Sequence, residues 1–102
     1  MSNPTLVEGE IAKVRRIVLS GLKGHAARVY LFGSRARGEA RRTSDIDVAV
    51  LPLEPIPAYV LAEIRAALEE SDVIYRVDLV NLAEADEKLR RRVEEEGILW
   101  DE

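Results

Sequence analysis

Apolar positions in this chain repeat with two different periods. Val7, Ile11, Val14 and Val18 recur at helical spacing. Thr5 and Glu8 form a T-x-x-E capping box with Pro4 ahead of it, and "SGLKG" follows the run, so a first helix is predicted to start at Thr5. "ARVYLF" (27–32) is rich in β-branched and aromatic residues and predicts a strand ending at Gly33. "DIDVAVL" (45–51) predicts a second strand, stopped by Pro52, Pro55 and Pro57. In "AYVLAEIRAALEE" (58–70), Leu61, Ile64 and Leu68 share one helical face, and "VIYRVDLV" (73–80) predicts a third strand. Asn81 with Glu84 repeats the capping-box pattern ahead of a last helix, whose buried side is read as Leu82, Leu89 and Val93. Gly97 is placed just past that helix at C′, and "ILW" then forms a short edge strand or simply packs.

This order predicts an α+β fold with α/β-like alternation: a small mixed sheet with helices packed mainly on one face. The connection between the first two strands is short enough to leave their relative direction open. No repeat or linker divides the chain, so residues 1–102 are read as one domain.

Composition narrows the class. With 47% hydrophobic and 33% charged residues, the chain is globular rather than disordered. It has no cysteine, which excludes disulfides and thiolate metal sites and suits a reducing compartment. "MSNPTLVEGE" lacks the basic-then-apolar order of a signal peptide, and no apolar run approaches a membrane span, so a cytoplasmic location without membrane contact is expected. A net charge of −4 argues against a general nucleic-acid binder. Twelve arginines against three lysines, four of the twelve between positions 35 and 42, make a local positive patch. Such a patch suits a compact phosphorylated ligand.

The candidate chemistry lies in "GSRARGEARRTSDID" (33–47). Asp45 and Asp47 stand two apart on a predicted strand, so both carboxylates face one way while Ile46, Val48 and Val50 face a core. Two carboxylates that close repel unless a cation lies between them, and all-oxygen ligands favour Mg²⁺ or Mn²⁺. Asp78 alternates with Val77 and Leu79 in the same way. If its strand pairs beside the second, three carboxylates converge, which equips a site for two metals about 4 Å apart and for phosphoryl or nucleotidyl transfer. In "FGSRARG", the backbone of Gly33 and Ser34 and the Ser34 hydroxyl are placed to donate to phosphate, more so if a short helix starts there. Arg35 and Arg37 are candidates for neutralising a polyphosphate.

Gly33-Ser34, ten residues, then Asp45-x-Asp47 resembles the G-S-x₁₀-D-x-D pattern of DNA polymerase β-like nucleotidyltransferases. With "VDLV" at 77–80 the chain is similar to the minimal nucleotidyltransferases, an antitoxin-type group encoded beside HEPN-domain proteins. The resemblance covers nearly the whole chain and implies a nucleotidyltransferase fold. It implies a triphosphate cradle at Gly33 and Ser34 and two Mg²⁺ (or Mn²⁺) ions bound by Asp45 and Asp47, the catalytic one of the two also by Asp78, which helps deprotonate the acceptor. The implied reaction is attack of a hydroxyl on the α-phosphate of a nucleoside triphosphate, ATP by expectation, with release of pyrophosphate. Twenty-two residues follow Val80, so no acceptor-holding domain is expected and a partner supplies the acceptor. In the minimal group that implies a tyrosine of the HEPN protein.

Two other functions compete with this one. The chain is either a binding module that neutralises a HEPN partner by contact alone, or an enzyme acting on a small molecule or RNA end. His25, at a helix end, and the arginines at 90–92 are read as surface residues, Arg41 and Arg42 as facing solvent or a partner, and Tyr75 and Trp100 as core or interface.

Overall fold

In a computed structural model, which describes residues 4–38 and 45–100 with side chains from residue 7, the two periods become three layers. Helix α1 runs Pro4–Gly21 and strand β1 Ala27–Phe32; a single 3₁₀ turn follows at Gly33–Arg35. Then come β2 (Ile46–Pro52), α2 (Ala58–Glu70), β3 (Val77–Asn81), α3 (Glu87–Glu96) and β4 (Ile98–Trp100). The described strands form one mixed sheet in the order β3-β2-β1-β4. β1 is antiparallel to both β2 and β4, which settles the direction the sequence left open. β2 and β3 are parallel, and α2 is the crossover that such a pair requires.

Strand alternation sorts the side chains. Ile46, Val48 and Val50 of β2, Val29 and Leu31 of β1, Leu79 of β3 and Trp100 of β4 face one side, where α1 and α2 cover them. Tyr30 and Ala49 face the other side and meet Val93 of α3 and Leu82. Two helices thus share one face, as expected, and α3 closes the other. Among the described residues no helix is long and apolar enough to cross a membrane.

Four local expectations need correcting. β3 starts at Val77 rather than at 73, because the backbone before it is engaged elsewhere: the Ile74 N–H donates to Glu10 (2.9 Å). The last helix starts at Glu87, capped by Asp86, whose side chain accepts from the Leu89 N–H (2.7 Å). Asn81 instead closes a turn, accepting from the Ala83 N–H (2.9 Å), so Leu82 is buried from that turn and not from a helix. Gly97 has φ −73°, so it is not a left-handed C′ residue. Space explains it: a Cβ there would collide with the Val93 carbonyl and lie 3.2 Å from the Tyr30 side chain. The buried stripe of α1 is also offset from the predicted one and runs through Glu10, Val14, Val18 and Leu22. The capping side chain of Thr5, and Arg41 and Arg42, lie outside the described residues.

Candidate active site

The site is built where β1 ends beside the start of β2. Phe32 pairs with Asp47, so the chain leaving β1 turns directly over that carboxylate. Gly33 makes the turn at φ +76°, a left-handed conformation that strains any L side chain. Space excludes a side chain as well, since a Cβ on Gly33 would strike the Asp47 carboxylate. Gly33 is therefore required in two independent ways, by its backbone conformation and by the Asp47 carboxylate. The short helix expected after Ser34 is one 3₁₀ turn, in which the Gly33 carbonyl accepts from the Ala36 N–H, and the Arg37 N–H just beyond it donates to the same carbonyl (3.2 Å). One turn is too short to carry a helix dipole, but it points Ser34 and Arg35 off the strand end.

Asp47 lies directly opposite Asp78 in the parallel β2–β3 register, and Asp45 precedes Asp47 by two. Neighbouring strands run about 4.8 Å apart, and residues two apart on a strand share a face. The structure thus brings Asp47 and Asp78 to the α3 side of the sheet, at one end, and Asp45, one residue before β2 rather than in it as predicted, is near enough for its charge to act on Asp47. Asp47 is half-buried, while Asp45 and Asp78 are exposed. The Asp47 carboxyl is held above its ordinary value of 3.8, first by burial and then by the charges of Asp78 and Asp45. Arg35 and Arg37 pull it the other way. These four charges therefore all act on Asp47.

The two arginines are held differently. Arg37 is exposed and reaches Glu96 at the end of α3, with Nη1 3.7 Å from Oε2. The Arg35 guanidinium stacks on the Tyr75 ring, 4.6 Å from its centroid. The start of β2 is tied to the same loop, because Ile46, between the two aspartates, donates its N–H to the Arg76 carbonyl (2.9 Å).

The family model for polymerase beta, nucleotidyltransferase, matches residues 19–100, a span holding the turn and all three aspartates. The chain belongs to this nucleotidyltransferase family. A protein adenylyltransferase MntA from Shewanella oneidensis is 42% identical over 76 residues, 71% of this chain and 52% of that protein. The chain spans about half the length of the curated relatives it matches. A solved chain assigned as a minimal nucleotidyltransferase superposes with a TM-score of 0.69 at 37% identity, over 88% of this chain and 92% of that one. A toxin–antitoxin crystal structure with AMP-PNP is similar at 30% identity and a TM-score of 0.65, over 86% of this chain and 73% of that one.

In this member of the family the donor set fits a hard divalent cation: three carboxylates, all oxygen, with one already disfavoured as an anion by burial and by its neighbours. Among the described residues, however, no group of three or more His, Cys, Asp or Glu side chains is gathered in metal-holding geometry. Asp45 and Asp78 are exposed.

Two residues around the nucleotidyltransferase site were missed in the sequence. Tyr75 was read as core or interface; it does touch the core edge, but its ring also carries Arg35. Glu10 is 4% exposed, accepts from the Ile74 N–H and pairs with Lys13 Nζ, each at 2.9 Å. A charged residue four before Val14, in line with Val18, was the available signal. Of the others, His25 sits at the far end of β1 beside the groove formed by Leu19, Leu22 and Trp100, and Trp100 is buried in the core. In the 90–92 run, Arg90 donates to the Leu82 carbonyl, Arg91 pairs with Glu87 and Arg92 is exposed.

Proposed function

We infer that this chain is a Mg²⁺-dependent nucleotidyltransferase that moves AMP from ATP to a hydroxyl of a partner protein, a HEPN-domain toxin for which it is the antitoxin. The observation that carries this reading is the convergence of Asp45, Asp47 and Asp78 on one sheet end, against a glycine turn that only a bare backbone can make. The adenylyltransferase name of the Shewanella relative and the AMP-PNP in the toxin–antitoxin structure support AMP and a toxin partner.

In this mechanism Gly33 and Ser34 lay backbone N–H groups and a hydroxyl against the triphosphate, and Arg35 and Arg37 neutralise its charge. Asp45, Asp47 and Asp78 are the residues that would hold the divalent cations, which would offset the triphosphate charge and polarise the α-phosphate. Asp78, exposed on the edge strand, is the carboxylate an incoming hydroxyl reaches, and it takes the hydroxyl proton. A new oxygen–phosphorus bond forms at the α-phosphate, the bond to the bridging oxygen breaks, and pyrophosphate leaves. A contact-only antitoxin has no use for three converging carboxylates that raise the cost of ionising Asp47.

The test is incubation with α-labelled ATP, Mg²⁺ and a HEPN-domain partner. Label moves to the partner with the wild-type chain and not with Asp45→Ala, Asp47→Ala. No transfer, or transfer indifferent to that double substitution, contradicts the reading.

A further inference from the structure

We propose that Tyr75 is a positioning residue for the nucleotide: its ring holds the Arg35 guanidinium in the orientation that meets the triphosphate. The proposal rests on the nucleotide reading above and adds to it a residue outside the glycine turn and the aspartates.

The argument starts from the loop that carries Tyr75. Residues 71–76 join α2 to β3 without regular structure, and such a segment ordinarily lets a ring at the core's edge drift. Here it is fixed on both sides of the ring. On one side the Ile74 N–H donates to Glu10, whose carboxylate is buried on α1 and further held by Lys13; Lys13 also reaches Asp72 of the same loop (3.4 Å). On the other side the Arg76 carbonyl accepts from Ile46 (2.9 Å). Tyr75 therefore sits between two anchors, one reaching α1 and one reaching the first residue of β2.

Arg35 is where that rigidity is used. Arginine has a long side chain with several rotors, and ordering it at the moment of binding costs affinity. The Tyr75 face 4.6 Å from the guanidinium removes much of that freedom beforehand, and stacking leaves the planar edge of N–H groups to donate to phosphate. The same ring borders a cavity of about 360 Å³ that reaches Asp78. Tyr75 thus links the arginine half of the site to the carboxylate half.

The experiment is a double-mutant cycle on binding of AMP-PNP with Mg²⁺, combined with the NMR shift of the Arg35 Nε–H in the nucleotide-free protein. Tyr75→Leu is expected to weaken binding about five- to tenfold, and Tyr75→Phe, which keeps the ring, stays within about twofold of wild type. In an Arg35→Ala background Tyr75→Leu has no further effect. The Arg35 Nε–H signal carries a ring-current shift in wild type and Tyr75→Phe and loses it in Tyr75→Leu. Wild-type affinity in Tyr75→Leu, an undiminished effect without Arg35, or a Tyr75→Phe that behaves like Tyr75→Leu would overturn the proposal. If wild type itself fails to bind AMP-PNP, the nucleotide reading falls and the proposal with it; if wild type and Tyr75→Leu bind equally, the proposal alone falls.

Discussion

The two faces of β2 are made by one short run of sequence and have opposite physics. Ile46, Val48 and Val50 point into the α1–α2 layer and are each 0% exposed. Asp47 points the other way, with Asp45 just ahead of the strand, and Asp47 carries a penalty for being charged that comes from burial and from two like neighbours. The apolar face contributes stability, and the acidic face gives some of it up. Strand alternation lets both happen within six residues, because every second side chain is free of the core's demands.

The sharpest way to break the comparison is to neutralise the acidic face. Asp45→Asn with Asp47→Asn should lower nucleotidyl transfer by at least about a thousandfold. The same change should raise the melting temperature of the metal-free protein by a few degrees. The sign follows from the raised pKa of Asp47, since the folded state disfavours its charged form above the ordinary value of 3.8 and an uncharged amide removes that cost. Activity assays and calorimetry on one sample read both effects. A drop in both would put the acidic face in the service of the fold.

The converse substitution, Ile46→Ala, strikes the apolar face between the two aspartates. It should cost about 2–5 kcal/mol in urea unfolding. Gly33→Ala comes next: it forces a Cβ toward the Asp47 carboxylate at φ +76°, for about 1–2 kcal/mol from the backbone alone. Its loss of activity should exceed what the lost stability accounts for, measured as kcat under conditions where the variant is fully folded.

How far these faces were legible in the sequence depends on how local their causes are. β1 at 27–32 and α2 at 58–70 fall where the hydrophobic period puts them, because each is set by side chains within a turn or two. The three-aspartate arrangement followed from alternation plus one assumption, that β3 lies beside β2. The misread segment was 73–76, whose β-branched and aromatic residues look like strand. Its fate is decided by Glu10, 64 residues away from the N–H it accepts. Asn81 misled for a different reason: a side chain accepting from an N–H two residues on begins a turn as readily as a helix. The stack of Tyr75 on Arg35 joins residues from separate elements and leaves no mark in either local pattern.

A smaller effect tests that distant anchor. The Glu10 carboxyl is held below its ordinary value of 4.5, first by the Ile74 N–H and then by Lys13. Its contribution to stability is therefore full above that value and is lost as pH falls below it. Asp47 works in the opposite sense, since acid relieves its penalty. Wild type should lose melting temperature relative to Glu10→Gln as pH falls from about 5.5 to about 3.5, with the glutamine still able to accept from Ile74. Parallel pH curves for the two proteins would remove Glu10 from the account.

The central claim is that the acidic face of β2 is a cation and nucleotide site, and thermal denaturation with Mg²⁺ and AMP-PNP tests it without a partner protein. At a ligand concentration a hundred times Kd, linkage predicts about 2.7 kcal/mol of added stability in wild type. That should appear as a melting temperature raised well outside error by the two ligands together, and no rise in Asp45→Asn with Asp47→Asn. An unshifted wild type at saturating ligand, or an equal shift in the double variant, would contradict the claim.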